Sequence, residues 1–264
     1  MPEFKSKGVS IYYEIKGAGY PMVLISGFTC DHTLWMPIAN KLAEHFQLIL
    51  FDNRGVGRTQ DDNAELSAEL LAGDIRALVQ GLGLKKPHII GQSMGGAIAQ
   101  KFASLYPEEI GKLGLLVTTA KWRQVPLFWV KSHLMMRQKG VGKEILIDTV
   151  IPWIFGEKFL QNLDNVKRFK ESALANPLPQ LIKDEARQIG ILEQFDGREE
   201  LSKIQAETLV MYGEEDLLVL PIEAKFLEEH IPNARLEGFS TGHGVILEAS
   251  DELSRLMIQF FTQP

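Results

Sequence analysis

The sequence predicts an α/β protein with a mostly parallel central sheet, helices on both faces of that sheet, and an inserted helical cap. Three observations support this fold class. Short apolar runs alternate with segments of helical periodicity as far as Ala120, the alternation stops over residues 121–200, and it resumes at Thr208. Such alternation is typical of parallel sheets, because a crossover helix must carry the chain back before the next parallel strand can begin.

The first predicted elements lie near the N-terminus. Residues 9–15 are rich in β-branched and aromatic side chains and end at the glycines of segment 17–19, which is a signal for a hairpin turn. Residues 21–26 form a second apolar run, which predicts a buried strand. Apolar residues then recur at every fourth position over residues 34–42, which predicts a helix.

The next elements continue the alternation. Residues 46–51 predict another strand, and it runs into a glycine-rich loop at 52–59. A helix is predicted over residues 71–82, because its leucines and isoleucine keep a helical spacing and glycines follow. After the strand at 88–92 and its helix, Leu113 to Thr118 predict one more strand.

The residues after Ala120 predict a separate helical unit. Segment 121–200 has no convincing buried strand and is interrupted by several prolines. Sheet patterns then return as a strand at 208–212, a helix at 221–230, a strand at 234–239 and a C-terminal amphipathic helix. We therefore predict a core formed by residues 1–120 and 201–264, with residues 121–200 as a cap over the carboxyl ends of the strands, where open α/β sheets bind ligands.

Composition excludes several classes of function. The formal net charge of −6 argues against nucleic acid as a partner. No apolar run is long enough for a transmembrane segment, and the polar residues 1–8 do not resemble a signal peptide. The single cysteine, Cys30, cannot form an internal disulfide and fits a reducing compartment. We therefore expect a cytoplasmic protein.

A strand, a sharp turn and a helix follow one another around Ser93. Ile89 and Ile90 predict a buried strand, and segment 91–95 reads Gly-Gln-Ser-Met-Gly, which matches the G-x-S-x-G pattern of a nucleophile elbow. The glycines allow neighbouring backbone to pass close to the strained serine. The helix that begins here would direct its free N–H groups toward the serine. The sequence therefore predicts Ser93 as a nucleophile.

A serine hydroxyl needs a base, and the base needs an acid to orient it. Among six histidines, His243 lies in a loop after the last predicted strand and follows Ser93 in the chain, as the order serine, acid, histidine requires. Three carboxylates, Glu214, Glu215 and Asp216, follow the strand at 208–212. Asp216 is the predicted acid because it lies deepest in this loop, directly before an apolar run.

Acyl transfer also requires donors for a developing oxyanion. The backbone N–H of Met94, directly after the nucleophile, is one predicted donor, and that of Phe28, in the turn after the strand at 21–26, is the other. Segment 55–57 lacks the third glycine of a dinucleotide fingerprint, and segment 91–96 lacks the lysine of a phosphate-binding loop. No cluster of histidine and cysteine has metal-binding spacing, so the sequence predicts neither a cofactor nor a metal.

In combination, these motifs resemble those of the α/β-hydrolase family. The resemblance covers residues 9–120 and 207–264 and rests on five motifs: Ser26-Gly27-Phe28, Asp52-x-Arg54-Gly55-x-Gly57, the elbow at 91–96, Gly213-x-x-Asp216 and Gly242-His243-Gly244. It implies hydrolysis through an acyl-enzyme, with Ser93, Asp216 and His243 as the catalytic triad. The chain departs from the usual pattern at Ser26, where histidine is common, and at Asn53 and Thr59.

The resemblance also narrows the expected activity. It implies a serine hydrolase that cleaves a carboxylic ester of a small to medium acyl chain without a cofactor. The cap around Gln194-Phe195-Asp196 is similar to that of small carboxylesterases, 3-oxoadipate enol-lactonases and the pimeloyl-acyl-carrier-protein methyl ester esterases. Hydrolase-like ligand receptors and signalling proteins that keep the triad remain an alternative.

The first part of the cap is both basic and apolar. Residues 121–143 contain six lysines and arginines and no acidic residue. An amphipathic lid with a solvated basic top is one interpretation. Another is that the basic face docks acyl carrier protein or an anionic membrane surface. Four cations would serve a carrier protein: Arg123, Lys131, Arg137 and Lys139. Four aromatic residues are the expected substrate contacts: Trp122, Phe128, Trp129 and Trp153.

Overall fold

The computed structural model describes residues 3–263, and their strands form one sheet. The strand order is β1-β2-β4-β3-β6-β7-β8-β9, with β5 paired to β2 off this path. The strands are β1 (Glu3–Ser6), β2 (Val9–Lys16), β3 (Tyr20–Ile25), β4 (Phe46–Phe51), β5 (Gln60–Asp61), β6 (His88–Gln92), β7 (Leu113–Leu116), β8 (Thr208–Gly213) and β9 (Ala234–Phe239). From β4 to β9 along this order every pair is parallel, so the predicted fold class is confirmed.

The predicted hairpin after the second strand is wrong. β2 does not pair with β3; it pairs antiparallel with β4, which lies between them. The glycines of the connection are still needed: Gly17 has φ +78°, and a Cβ on it would lie 2.3 Å from the carbonyl oxygen of Ala43. A turn signal reports that the chain reverses, whereas the partner of a strand depends on which later strand buries its apolar face.

Helices cover both faces of the sheet. They are α1 (Met36–Leu42), α2 (Ala68–Gly81), α3 (Met94–Leu105), α4 (Gln124–Gln138), α5 (Lys143–Ile154), α6 (Glu157–Gln161), α7 (Leu163–Leu174), α8 (Ile182–Gln194), α9 (Pro221–His230), α10 (Val245–Glu248) and α11 (Ser250–Phe261). Along β3, Val23 and Ile25 belong to the apolar cluster that contains α2 and α3 residues, whereas Met22 and Leu24 belong to the cluster of α1 and α11. This alternation follows from the two-residue period of a strand.

Five helices, α4 to α8, lie between β7 and β8 in the chain. Their ends are joined by an isolated β-bridge between Lys121 and Asp196. The buried side chain of Gln188 on α8 connects this unit to the core, since its Oε1 accepts the backbone N–H of Thr29 at 2.9 Å. Its Nε2 donates to the carbonyl oxygen of Arg54 at 3.4 Å. One amide thus joins the cap to two loops at the carboxyl ends of the strands.

The glycine-rich loop after β4 is held by a buried arginine. Arg54 lies with Nε 2.6 Å from Oδ2 of Asp74 and with Nη1 3.0 Å from Oδ1 of Asp62. Its Nη2 also donates to the carbonyl oxygen of Lys7 at 3.1 Å. The arginine therefore braces the loop. Across residues 3–263, no helix combines the length and the apolar character that a membrane span requires.

Candidate active site

Ser93 lies at the turn between β6 and α3, in a backbone conformation that residues other than glycine rarely adopt. Its φ is +54° and its ψ is −120°. Two contacts with the chain after β6 hold this conformation. The Ser93 N–H donates to the carbonyl oxygen of Leu116 at 2.9 Å, and Oγ1 of Thr118 donates to the Ser93 carbonyl oxygen at 2.7 Å. Strain of this kind persists only where surrounding contacts fix it, and it is common at active sites.

The glycines of the elbow are required by close backbone approach. A Cβ on Gly91 would lie 2.1 Å from the carbonyl oxygen of Gly95, and a Cβ on Gly95 would lie 2.3 Å from that of Ile25. Neither distance is possible for a real Cβ atom, so any side chain at these positions would force the backbone of the turn to shift. The G-x-S-x-G pattern thus has a steric cause in this chain.

His243 and Asp216 are hydrogen-bonded to each other. Nδ1 of His243 lies 2.7 Å from Oδ2 of Asp216, and both side chains are buried. The other carboxylate oxygen, Oδ1, accepts the backbone N–H groups of Leu218 at 2.8 Å and Val219 at 2.9 Å. The aspartate is therefore fixed by its own loop, and it directs the opposite ring nitrogen of His243 away from itself.

The two other carboxylates of this loop make different contacts. Oε2 of Glu214 accepts the hydroxyl of Ser240, and Oε2 of Glu215 accepts the backbone N–H of Glu157 at 2.7 Å. Among the three candidates it is Asp216 that the structure brings to His243. Leu218 and Val219, whose backbone N–H groups hold the Asp216 carboxylate, are buried, whereas Leu217 between them and Asp216 is exposed.

The two predicted oxyanion donors lie where the chain leaves two neighbouring strands, Met94 after β6 and Phe28 after β3. Met94 is the first residue of α3, so its N–H has no acceptor within that helix. Phe28 follows β3 in a loop. Within residues 3–263, neither N–H has a hydrogen-bond acceptor. Phe28 and Ser93, the residue before Met94, line the same cavity.

This cavity has a volume of about 270 Å³ and contains Ser93 and His243 in its wall. The rest of the wall is mostly apolar and comes from both the core and the cap. Apolar lining residues include Leu34, Trp122, Leu127, Trp129, Val130, Ile154, Leu192 and Leu218. Of the four aromatic residues predicted to contact substrate, Trp122 and Trp129 line the cavity.

The two other aromatic residues predicted to contact substrate do not line this cavity. Phe128 is 67% exposed, because it lies on the opposite face of α4 from its neighbours Leu127 and Trp129. Trp153 does not line the cavity but stacks on Trp129, with ring centroids 5.3 Å apart. Consecutive helical residues point in different directions, and the sequence of α4 is apolar on too many sides to indicate which one faces inward.

Cys30, His88 and His32 carry other side chains that could act as a nucleophile or a base, and their environments differ from those of Ser93 and His243. Burial raises the pKa of the Cys30 thiol to about 12, which disfavours the reactive thiolate. Burial lowers the pKa of His88 to about 4, and its ring accepts the N–H of Lys112 and contacts the carbonyl oxygen of Phe261. Nδ1 of His32 lies 2.7 Å from Asp52. Both histidines therefore have structural partners already.

The structure also reveals a residue that sequence reasoning missed. Glu248, at the end of α10, accepts the backbone N–H of Gly242 with Oε1 and that of Gly156 with Oε2, both at 3.0 Å. Gly242 precedes His243, and Gly156 belongs to the cap. No local pattern identifies such a residue, because its partners are backbone groups from two distant segments.

The basic residues of the cap are largely paired within the chain. Arg123 contacts Glu223, Lys131 contacts Glu193, and Arg137 contacts Glu185. In the described part of the chain, Lys139 makes no ion pair. Three of the four cations predicted to serve a carrier protein are thus balanced by acidic residues on α8 and α9.

Comparison with known proteins bears on the family. The family model of the α/β hydrolase fold matches residues 20–250. A relative from Azorhizobium caulinodans that carries the name "Putative carbamate hydrolase RutD" is 26% identical, over 98% of this chain and 98% of its own. The enol-lactonase from Burkholderia xenovorans superimposes with a TM-score of 0.88 at 23% identity, covering 99% of this chain and 100% of that chain.

A thermophilic esterase from Thermogutta terrifontis superimposes with a TM-score of 0.85 at 25% identity, covering 99% of this chain and 98% of that chain. These likenesses extend over the core and the cap alike. Since the family model spans most of the chain, and the sheet and its serine elbow have the geometry described above, this protein belongs to the α/β-hydrolase fold family.

Proposed function

We propose that the protein is a serine hydrolase that cleaves a carboxylic ester through an acyl-enzyme. One observation carries the proposal: His243, held by Asp216 at 2.7 Å, lines the same cavity as the strained Ser93. A nucleophile, a base and an orienting acid are the three groups that this chemistry requires. The esterase and the enol-lactonase among the structural neighbours support the same reaction class.

The proposed steps use only these side chains and water. Nε2 of His243 takes the hydroxyl proton as Oγ of Ser93 attacks the ester carbonyl carbon. The N–H groups of Phe28 and Met94 stabilise the oxyanion, and the imidazolium then protonates the leaving alcohol. A water molecule, deprotonated by His243, attacks the acyl-enzyme and releases the carboxylic acid and free Ser93.

The cavity supports an acyl group of small to medium size. A volume of about 270 Å³ with a mostly apolar wall fits an aliphatic or small aromatic chain. Hydrolysis of a lactone uses the same steps, with the alcohol remaining attached to the acyl group. An enol-lactone is therefore the second substrate class, supported by the likeness to the Burkholderia enol-lactonase.

Docking of acyl carrier protein stays a separate proposal about the partner. Three of the four cations predicted for it have acidic partners within the chain, so Lys139 is its main remaining support. A carrier-protein ester compared with the same acyl group on a small alcohol, at low and high salt, tests it. An equal salt dependence for both esters would remove the docking proposal.

The decisive experiment uses Ser93→Ala and p-nitrophenyl butyrate. The variant should lose nearly all turnover while its thermal unfolding stays that of the wild type. Ser132→Ala, at an exposed position of α4, is the matched control and should keep full activity. Retained turnover in Ser93→Ala would overturn the proposal. A burst of one product per protein without further turnover in the wild type would instead favour a ligand receptor.

A further inference from the structure

A second cavity adjoins the one that contains Ser93. Its volume is about 250 Å³, and four residues line both cavities: Thr29, His133, Val150 and Phe169. The two spaces are therefore separated by no more than single side chains. A substrate that fills the first cavity and is longer than it would extend into the second.

The walls of the two cavities differ in charge. Arg137 and Lys143 line the second cavity, and His133 lies between the two. Among the described residues, no carboxylate lines it. Lys143, the first residue of α5, makes no ion pair in the described part of the chain. The helix α5 has two acidic residues, Glu144 and Asp148. Asp148 pairs with Lys170 at 2.6 Å, and Glu144 makes no ion pair among the described residues.

Arg137 is held in place by contacts behind the cavity wall. Glu185 on α8 is fully buried, and its carboxylate accepts a hydrogen bond from Nη1 of Arg137 and lies 3.2 Å from Nδ1 of His133. Nη2 of Arg137 donates to the carbonyl oxygen of Gln180 at 2.7 Å. A guanidinium with several donors keeps N–H groups free when two are used. Glu185 balances the positive charge of Arg137. The positive charge of Lys143 has no acidic partner among the described residues.

We infer that the second cavity is a subsite for an anionic group, and that the preferred substrate is an ester whose acyl chain ends in a carboxylate. The ester part of this inference rests on the proposed function. The apolar chain would fill the first cavity, and the carboxylate would lie against Arg137 and Lys143. Lys143 is exposed to solvent, and the apolar part of the wall makes it costly for a carboxylate to leave water without such partners.

The test compares matched esters. The substrates are the monomethyl esters of linear dicarboxylic acids from succinic to suberic acid and the methyl esters of monocarboxylic acids of equal length. The wild type should prefer the charged ester at one chain length. Lys143→Gln should reduce the ratio of kcat/KM for charged over neutral ester about threefold, since an ion pair with a solvent-exposed lysine contributes little. Lys143→Glu should invert the preference.

Lys225→Gln is the control, because Lys225 is an exposed lysine of α9 that lines neither cavity. It should leave the ratio unchanged. A wild type that cleaves neutral esters at least as well at every length, or a ratio that Lys143→Gln does not alter, would overturn the subsite while leaving the ester hydrolase intact. Arg137→Gln is a less suitable variant, because it leaves the buried Glu185 unpaired and endangers folding.

A complete absence of ester turnover would overturn the proposed function instead. In that case, calorimetric binding of the monomethyl esters to Ser93→Ala decides the subsite alone. Binding of the charged ester that weakens in the double variant with Lys143→Gln supports the anionic subsite. Equal binding of charged and neutral esters, or binding of neither, overturns it.

Discussion

Glu248 accepts the backbone N–H of Gly156 at 3.0 Å and so ties the cap to the core. Its other oxygen accepts the N–H of Gly242, directly before His243. A backbone hydrogen bond also joins these two segments: the N–H of Gly244 donates to the carbonyl oxygen of Ile154 at 2.7 Å. The position of the proposed base therefore depends on contacts with the cap, and a carboxylate that touches no substrate mediates them.

Glu248→Gln should lower kcat about tenfold, because an amide has one acceptor oxygen and cannot accept both backbone N–H groups. As a positioning residue, Glu248 should influence kcat more than KM for p-nitrophenyl butyrate. Glu215→Gln is the control, since Glu215 accepts only the N–H of Glu157 in the cap. An equal loss in both variants would mean that the His243 loop is positioned by other contacts.

Glu248 should also make folding stability depend on pH. Burial raises the pKa of its carboxyl, with Glu215 and Asp216 adding to the shift and the two N–H groups opposing it. A raised pKa in the folded protein means that the contribution to stability is complete below the unfolded pKa and is lost as pH rises through the folded pKa. The melting temperature of the wild type relative to Glu248→Gln should thus fall as pH rises from about 4 to 7. A difference that is constant over this interval would contradict the prediction.

Asp216→Asn should reduce kcat by about 10⁴-fold while the protein still folds, because the amide favours the wrong tautomer of the His243 ring. Steady-state turnover of p-nitrophenyl butyrate and circular dichroism measure the two effects. Glu214→Gln is the control, since its carboxylate contacts the hydroxyl of Ser240 and not His243. A larger loss in the control would show that the acid has been wrongly assigned.

Trp129→Ala and Phe128→Ala should differ although the residues are adjacent. Trp129 lines the cavity, so its removal should alter KM and the preferred acyl length, whereas Phe128 is 67% exposed and its removal should leave both unchanged. A series of p-nitrophenyl esters of increasing length measures the effect. Similar profiles for the two variants would contradict the assignment of the inward face of α4.

Gly91→Ala should destabilise the protein by about 1–3 kcal/mol or prevent the elbow from forming, because the new Cβ would lie 2.1 Å from the carbonyl oxygen of Gly95. Gly73→Ala is the matched control within α2. Nothing lies within 4 Å of its added Cβ, so alanine should stabilise that helix by about 0.5–1 kcal/mol. Urea unfolding of both variants measures the contrast, and equal effects would refute the steric argument.

The local pattern of residues determined the strands, the core helices and the elbow. A buried strand, a G-x-S-x-G turn and an amphipathic helix are each encoded by neighbours in the chain, so Ser93 and the fold class could be predicted without tertiary information. The order of serine, acid and histidine along the chain also singled out His243 among six histidines. The prediction of Ser93 and of the fold class thus depends on interactions between residues close in sequence, and the prediction of His243 depends on the order of residues along the chain.

Only the tertiary structure decided which distant groups meet. The placement of β4 between β2 and β3, the pairing of the basic cap residues with acids on α8 and α9, and the double acceptor role of Glu248 all join segments far apart in the chain. The inward face of α4 was likewise decided only by the tertiary structure. Trp129 and Phe128 are both large aromatic residues, and only packing distinguishes them. A sequence shows which side chains are apolar and favour burial, and which are charged and are stabilised by an opposite charge. Which residue each of them contacts is decided by the packing of the whole chain.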